Sequence, residues 1–280
     1  MIKNASRIRR KANIKIRIKQ DQKIKIQNVD YTVLVQYLHK LMRYFQPLKR
    51  HFMMKKNVIV TGAGRGIGYE TVKRFVAAGH KVLAVSRDVT KLSALVGPGR
   101  CLPLSLDLTD ASSYEKIRLV VAQWQKLDIL INNAGYLVKK PFEALTTEDF
   151  EHSYAVNVFA PVRMIQLVRP CMGKKGHVLN ISSMGGVQSS VKFPGLAAYS
   201  ITKAALCNLT ELLAEEFKET GPSVNCLALG AVQTEMLEKA FPGYKSTLSA
   251  QDIAGYIYRF SLEGDTFYNG KILPVSSTTP

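Results

Sequence analysis

Residues 57–61 (Asn-Val-Ile-Val-Thr) form a short apolar run that passes directly into Gly62-Ala-Gly64-Arg-Gly66-Ile-Gly68 and then into a helix-length amphipathic stretch. Four glycines in seven positions between a strand and a helix leave few chain geometries. They permit a tight turn and let the backbone approach a neighbour or a ligand closely. The helix N-terminus that follows presents unpaired N–H groups, which favour an anion. The spacing is Gly62-x-x-x-Gly66-x-Gly68, longer than the G-x-G-x-x-G of the commonest dinucleotide fingerprint. An ordinary strand-to-helix turn is the plainer alternative.

The alternation continues along the chain. Lys81–Val85, Cys101–Leu106, Asp128–Ile131, His177–Ile181, Val224–Ala228 and Lys271–Val275 read as further strands. Helices are expected from the glycine turn to about Ala78, with Gly79 as the stop, and over Asp110–Gln125 and Ala197–Glu219. Thr146-Thr-Glu-Asp149 has capping-box form and opens a helix to about Met172; Ser249-Ala-Gln-Asp252 opens another. Strands that are apolar throughout, separated by helices, imply a parallel sheet covered on both faces. Right-handed crossovers then give an α/β, Rossmann-like doubly wound sheet of about seven strands. Nothing after Met54 reads as a linker, so residues 55–280 are expected to form one nucleotide-binding catalytic domain.

If a dinucleotide sits on the glycine turn, the end of the second strand meets its adenosine ribose. An acidic residue there favours NAD, and a basic one accommodates a 2′-phosphate. The sequence is Ser86-Arg87-Asp88. Arg87 and Arg65 together can grip a phosphate by charge-assisted hydrogen bonds, with Asp88 as the competing signal one residue further on. NADP(H) is therefore the expected cofactor and NAD(H) the alternative. A solvated surface charge is the plainer reading of either arginine alone.

Ile181-Ser182-Ser183 closes the fifth strand, and the next helix carries Tyr199-Ser-Ile-Thr-Lys203. Tyr and Lys at i and i+4 share one helical face. An ammonium so placed is expected to lower the phenol pKa from its usual ~10 toward neutrality. Tyr199 then suits a general acid for a carbonyl oxygen, or a base for an alcohol.

In their order, Thr61–Gly68, Asn132-Asn133-Ala134-Gly135, Asn157, Ser183 and Tyr199-x-x-x-Lys203 resemble the motifs of the short-chain dehydrogenase/reductase family, across about Lys55 to Leu273. The resemblance implies an oxidoreductase that moves hydride between a nicotinamide and a carbonyl or secondary alcohol, with no metal. It assigns Tyr199 as the acid/base, Ser183 as a hydrogen-bond partner of the substrate oxygen, and Lys203 as ribose ligand and tuner of Tyr199. Asn157 would hold a water connecting Lys203 to solvent, with support of a helix kink as its structural alternative. Thr61, Gly62, Arg65, Gly66, Ile67, Gly68 and Arg87 would meet the phosphate and ribose end of the cofactor. Asp107 and Leu108 would meet the adenine, a helix cap being the alternative for Asp107. Asn133, Ala134 and Gly135 would line the cofactor, and Val232 and Thr234 its carboxamide, a helix N-cap being the alternative for Thr234. Sixteen positions separate Ser183 from Tyr199, longer than the family usually shows, and the insert from Gly185 to Gly195 is expected to reshape the substrate mouth. Leu229-Gly230 stands where relatives carry Pro-Gly, and the C-terminus lacks their acidic-Gly-Gly ending. Met236, Leu237, Phe241 and Tyr244 suggest an apolar pocket, or simply a cover over the core. Relatives imply a homodimer through the two long helices, or a homotetramer.

Charge needs locating before it is interpreted. The chain carries 39 Lys+Arg against 21 Asp+Glu, a net of +18 that as a whole-protein property would suggest nucleic acid or an anionic membrane. Residues 1–54 hold fourteen basic and two acidic residues, so +12 of that excess lies in one fifth of the chain. This basic extension is expected to lie outside the native fold, with the start at Met53 or Met54. An arm binding nucleic acid or membrane and an Arg-rich transit peptide are its alternatives. No apolar run approaches the ~18 residues of a membrane helix, and nucleic acid is not the expected partner of the remaining chain. Four widely spaced cysteines without a C-x-x-C fit a reducing, cytoplasmic compartment. A nucleotide-binding sensor without turnover is the rival from another class.

Overall fold

The structure is a computed structural model that describes residues 54–97 and 100–276. Residues 1–53, nearly all of the basic extension, lie outside the described residues, as do Pro98 and Gly99 of the expected Gly-Pro-Gly turn. Seven strands form one sheet: β1 (Asn57–Thr61), β2 (Lys81–Ser86), β3 (Cys101–Ser105), β4 (Ile129–Asn132), β5 (His177–Ser183), β6 (Ser223–Leu229) and β7 (Ile272–Val275). Their order is β3-β2-β1-β4-β5-β6-β7, and every neighbouring pair is parallel. The α/β, doubly wound reading of the sequence is what the chain adopts.

Side chains along a strand alternate between faces, so a strand covered on both sides is apolar at every position. Val58 and Val60 join one core with Val72 and Phe75 of α1 (Gly66–Ala77) and Ile253 and Ile257 of α7 (Ala250–Phe267). Ile59 faces the other core, closed by Ile117 and Val121 of α2 (Tyr114–Trp124), Met164 and Ile165 of α4 (Ala160–Val168) and Ala214 of α5 (Ala197–Glu216). The expected helix over 110–125 starts four residues late, because the Asp110 carboxylate accepts from Ser112 N and holds a 3-10 turn over Ala111–Ser113.

The single helix expected from Thr146 to Met172 is instead divided. Both capping boxes form as the sequence predicts, Thr146 with Asp149 opening α3 (Thr147–Tyr154) and Ser249 with Asp252 opening α7. The chain then widens into a π-turn over Ala155–Phe159 before α4, and ends in a 3-10 turn at Arg169–Cys171. Pro161 supplies the reason: it has no N–H to return to the carbonyl of Asn157, four residues earlier. A short helix, α6 (Glu235–Ala240), is N-capped by Thr234, as the alternative reading of that residue implies.

Helix α5 is tied to the sheet by buried polar contacts. Asn132 at the end of β4 donates to Asn180 Oδ1 on β5 at 2.9 Å, and Asn180 Nδ2 donates to Thr210 Oγ1 on α5 at 2.9 Å. Removing one partner from such a ladder strands the others without water. Asn180→Ala is expected to destabilise the fold by about 2–4 kcal/mol. A urea-unfolding midpoint that stays in place would contradict the ladder's role.

Candidate active site

Between β1 and β4 the strand order reverses, and ligands of open parallel sheets bind outside the C-terminal strand ends at such a point. A cleft of about 770 Å³ lies there. At one end is the glycine turn. Gly62 has φ of +66°, and a Cβ on it would stand 2.7 Å from Ala134 Cα, so the two loops interlock where only glycine fits. Asn133 is the strut: its Nδ2 donates to the carbonyls of Thr61 (3.0 Å) and Gly62 (3.2 Å). Thr61 Oγ1 accepts in return from Asn133 N and Ala134 N, each at 3.1 Å. Helix α1 carries no acidic residue in its first turn, so its positive end is left for an anion. Gly66 and Ile67 open that turn into the cleft.

The two arginines are placed differently from each other. Arg65 Nη1 pairs with Glu235 Oε2 at 2.9 Å, both side chains more than half exposed. An exposed pair of this kind contributes at most about 1 kcal/mol and exchanges readily for a phosphate. Arg87 is exposed at the end of β2 and lines the cleft. Asp88 turns into its own loop, accepting from Thr90 N at 2.9 Å, and this bond holds its carboxyl below the usual range. Asp107 forms a local Asx turn, its Oδ1 accepting from Thr109 N and Thr109 Oγ1 at 2.8 Å each. The backbone bond first, and the Arg87 charge among smaller effects, lower its pKa. The helix-cap alternative for Asp107 therefore does not hold; Asp110 is the cap of that loop. Leu108 is buried beside it.

At the other end, Ser183 closes β5, and Tyr199 and Lys203 face it from α5. Ser183 Oγ accepts from Gly185 N at 3.2 Å and stands near enough to the Tyr199 phenol to influence its ionisation. Ser182 points the other way, donating to the Lys203 carbonyl at 2.9 Å, which leaves Ser183 as the serine beside Tyr199. Lys203 is 3% exposed, and its ammonium donates to the Ile181 carbonyl at 2.9 Å. It lies 5.7 Å from the centre of the Tyr199 ring. Burial lowers Lys203 from 10.5 to about 8, opposed by the nearby thiols of Cys226 and Cys207. Burial raises Tyr199, and the nearby Ser183 hydroxyl opposes this. The expectation that Lys203 draws the phenol toward neutrality is thus corrected. Both groups are desolvated and the ammonium sits on a carbonyl, so the downward shift falls on the lysine while the phenol keeps its proton.

Asn157 is fully buried in the π-turn. Its Oδ1 accepts from Tyr136 N at 2.8 Å, and its Nδ2 donates to Tyr136 O and to Thr202 Oγ1 at 2.9 Å each. Supporting the helix kink and joining α5 to the loop after β4 are one act here. Gly135 lies over this junction, where a Cβ would stand 3.5 Å from Lys203 Nζ and 3.6 Å from Asn157 Oδ1. Thr234 Oγ1 accepts from Leu237 N at 3.2 Å, the N-cap alternative, with its methyl toward Gly66. Val232 is buried on the cleft wall. Sequence reasoning did not single out Ser86, Tyr136 and His152, which also line the cleft. Their signal is positional: Ser86 ends β2, Tyr136 follows the Asn-Asn-Ala-Gly run, and His152 lies one helical turn before the π-turn.

The residues present suit a dinucleotide: an acid-free helix N-terminus and two arginines at one end, buried apolar walls between, and a tyrosine and ammonium at the other. Among the described residues no group of three or more His, Cys, Asp or Glu could hold a metal ion.

A family model described as short chain dehydrogenase matches residues 56–245. Carbonyl reductase [NADPH] 2 from Sus scrofa is 38% identical over 184 residues, 64% of this chain and 72% of that protein. 3-Amino-tetrahydro-pyrrolizinone reductase from Xenorhabdus hominickii is 32% identical over 191 residues, 67% of this chain and 65% of that one. A dehydrogenase/reductase from Sinorhizobium meliloti superimposes with a TM-score of 0.74 at 31% identity, covering 82% of this chain and 98% of the other. A 3-ketoacyl-(acyl-carrier-protein) reductase from Brucella melitensis, solved with NADH, gives 0.72 at 26% identity, covering 80% and 97%.

The burial of Lys203 has a direct spectroscopic consequence. Its ammonium is expected to titrate near 8 by NMR of the labelled side chain. A midpoint near the ordinary ~10.4 of an exposed lysine would contradict the geometry given for it.

Proposed function

The chain belongs to the short-chain dehydrogenase family, and on that premise we propose that it is an NADP(H)-dependent oxidoreductase acting on a carbonyl or secondary-alcohol substrate, with Tyr199 as general acid/base. The observation that carries this reading is Tyr199 set against Ser183 beside the buried Lys203 ammonium, at the end of a cleft that begins on the glycine turn. Bound there, the nicotinamide would supply or accept the hydride; the protein supplies position, proton and charge.

The phosphates would lie on the N-terminus of α1 between Thr61, Gly62, Gly66, Ile67 and Gly68. Asp107 and Leu108 would flank the adenine, Asn133, Ala134 and Gly135 the ribose side, and Val232 and Thr234 the carboxamide. Ser183 and Tyr199 hydroxyls would both donate to the substrate oxygen, stabilising charge as it develops. Tyr199, a phenol whose ordinary pKa of ~10 burial pushes higher still, is protonated at pH 7 and would give its proton to that oxygen. Lys203 would hold the ribose hydroxyls and set the field at the phenol. Pro161 cannot serve as helical partner of the Asn157 carbonyl, and the proposed relay water would sit there, beside Lys203. A tyrosine poised as a donor favours reduction.

NADP over NAD rests on Arg87 and Arg65, since Asp88 is held by Thr90. Residues 55–280 are the proposed catalytic domain, with the basic residues 1–54 separate from it. Exposed Phe159 of the π-turn and Leu212 of α5 suit burial in a homodimer through the Thr146–Met172 stretch and α5, the homotetramer being the alternative. Among the described residues no helix is long and apolar enough to cross a membrane. The free thiols of Cys101, Cys171, Cys207 and Cys226 suit the proposed reducing, cytoplasmic location.

Tyr199→Phe is expected to bind NADPH like the parent and to lose carbonyl reduction by at least about 10²-fold, the scale of general acid catalysis. In the parent, kcat/KM for reduction should fall as pH rises through about 8, because Lys203 is charged below that value and neutral above it. Equal rates for parent and variant across a broad carbonyl panel would contradict the assignment. Arg87→Ala should weaken NADPH binding about tenfold or more, the size of a charged hydrogen bond, and leave NADH nearly unchanged. Equal losses for the two cofactors would contradict the preference.

A further inference from the structure

Three segments converge on the outer half of the cleft: the loop after β4, the insert after β5, and α6 with the turn beyond it. They are fastened to one another. Lys140 N donates to the Gly195 carbonyl at 3.1 Å, across the loop and the insert. Lys139 Nζ donates to the Ala240 carbonyl at 2.8 Å and lies 4.0 Å over the ring of Phe241. Phe193 of the insert meets Phe241 edge-on, with 6.1 Å between ring centres. The result is an aromatic pair across the mouth, with Leu137, Val191 and Leu196 around it.

The charged groups that line this half or strap its segments are held within the protein, and the exposed Lys239 and Lys245 do not line the cleft. Lys192 donates to the carbonyls of Gly185 (3.0 Å) and Val187 (2.6 Å) and to Ser190 Oγ (2.9 Å), which takes up all three of its donors. Lys140 is paired with Asp149 at 2.6 Å, and Glu235 with Arg65 at 2.9 Å. His152 packs edge-on against Tyr136, 4.4 Å between ring centres. A carboxylate or phosphate on the substrate would therefore find no uncommitted cation among the described residues that line this half, Arg65 being taken by the cofactor phosphate in the reading above and Lys203 by the Ile181 carbonyl. A polyhydroxylated chain would bury hydroxyls against Phe193, Phe241, Val191 and Leu196 without enough partners, and an unpartnered buried hydroxyl is costly. An apolar or aryl group gains from the same walls and fits the edge-on preference of aromatic rings.

Resting on the reductase reading above, we propose that the substrate is an uncharged carbonyl compound with an aryl or bulky alkyl group, and that Phe193 and Phe241 select it. The insert that lengthens the Ser183–Tyr199 spacing is then the specificity element. Its lysine is an internal strap, and its phenylalanine is half of the clamp.

The test compares kcat/KM with NADPH for acetophenone, a pentulose, acetoacetyl-coenzyme A and the small dicarbonyl diacetyl. Acetophenone is expected to exceed the pentulose and the thioester by at least about tenfold, within the range one hydrophobic pocket can discriminate. Phe193 is half exposed, so Phe193→Ala should fold; it should lower the acetophenone-to-diacetyl ratio about tenfold, chiefly through KM. Phe241→Leu, which keeps the site apolar while removing the ring, should move the ratio the same way. Preference for the pentulose or thioester, or an unchanged ratio in both variants, overturns the proposal. A second readout separates it from the reductase reading: the melting temperature of NADPH-loaded Tyr199→Phe, which needs no turnover. A rise with acetophenone and none with the pentulose supports the pocket even if no carbonyl is reduced, and the reverse overturns it.

Discussion

A lysine ammonium buried to 3% exposure is tolerable only where a fixed acceptor replaces water, and in this chain that acceptor is the backbone carbonyl of Ile181. The contact requires α5 to sit on β5 in one register, and a series of polar contacts along one helical face enforces it. Thr202 is bonded by Asn157, the Lys203 carbonyl by Ser182, Cys207 donates to Ser182, Thr210 is met by Asn180, and Asn269 donates to the carbonyl of Ala214. Each is worth little alone. Together they forbid the slip or rotation that would carry Tyr199 away from Ser183, which apolar packing by itself would tolerate.

The same logic joins the far end of the cleft. Asn133 bonds the carbonyls of Thr61 and Gly62, and Asn157 bonds the backbone of Tyr136, so the first residues of the loop after β4 are held by asparagine side chains. That loop is the common wall of the phosphate turn, the ammonium and the substrate mouth. One segment of chain therefore sets the distance between the anion-binding and proton-donating ends. The chemistry needs that distance fixed before substrate arrives.

The parallel sheet, its seven strands and the Tyr199–Lys203 face were legible because they rest on period and spacing, which a sequence carries directly. The capping boxes were legible for the same reason. What stayed hidden depends on groups far apart in the chain. Pro161 beside Asn157 hints at a widened helix, yet only the packing of Tyr136 shows why it is kept there. Thr234 reads equally as cofactor contact or helix cap until α6 is seen. The direction of the Tyr199 and Lys203 shifts turns on burial, and the i, i+4 spacing says nothing of burial. The engagement of Arg65 by Glu235, 170 residues away, and of Lys192 by its own loop likewise needed coordinates. The length of the insert was visible in the sequence; its use of a charge to present a ring was not.

The central claim is that this cleft aligns a nicotinamide with a carbonyl carbon while Tyr199 protonates the oxygen. Its most direct test is turnover in ordinary water with NADPH deuterated on the transferring face of C4, followed by analysis of the alcohol formed. The account predicts one deuterium on the carbinol carbon, with the hydroxyl proton drawn from solvent through the protein. Protium at that carbon while the cofactor is oxidised, or bound NADPH with no carbonyl reduced, would contradict it.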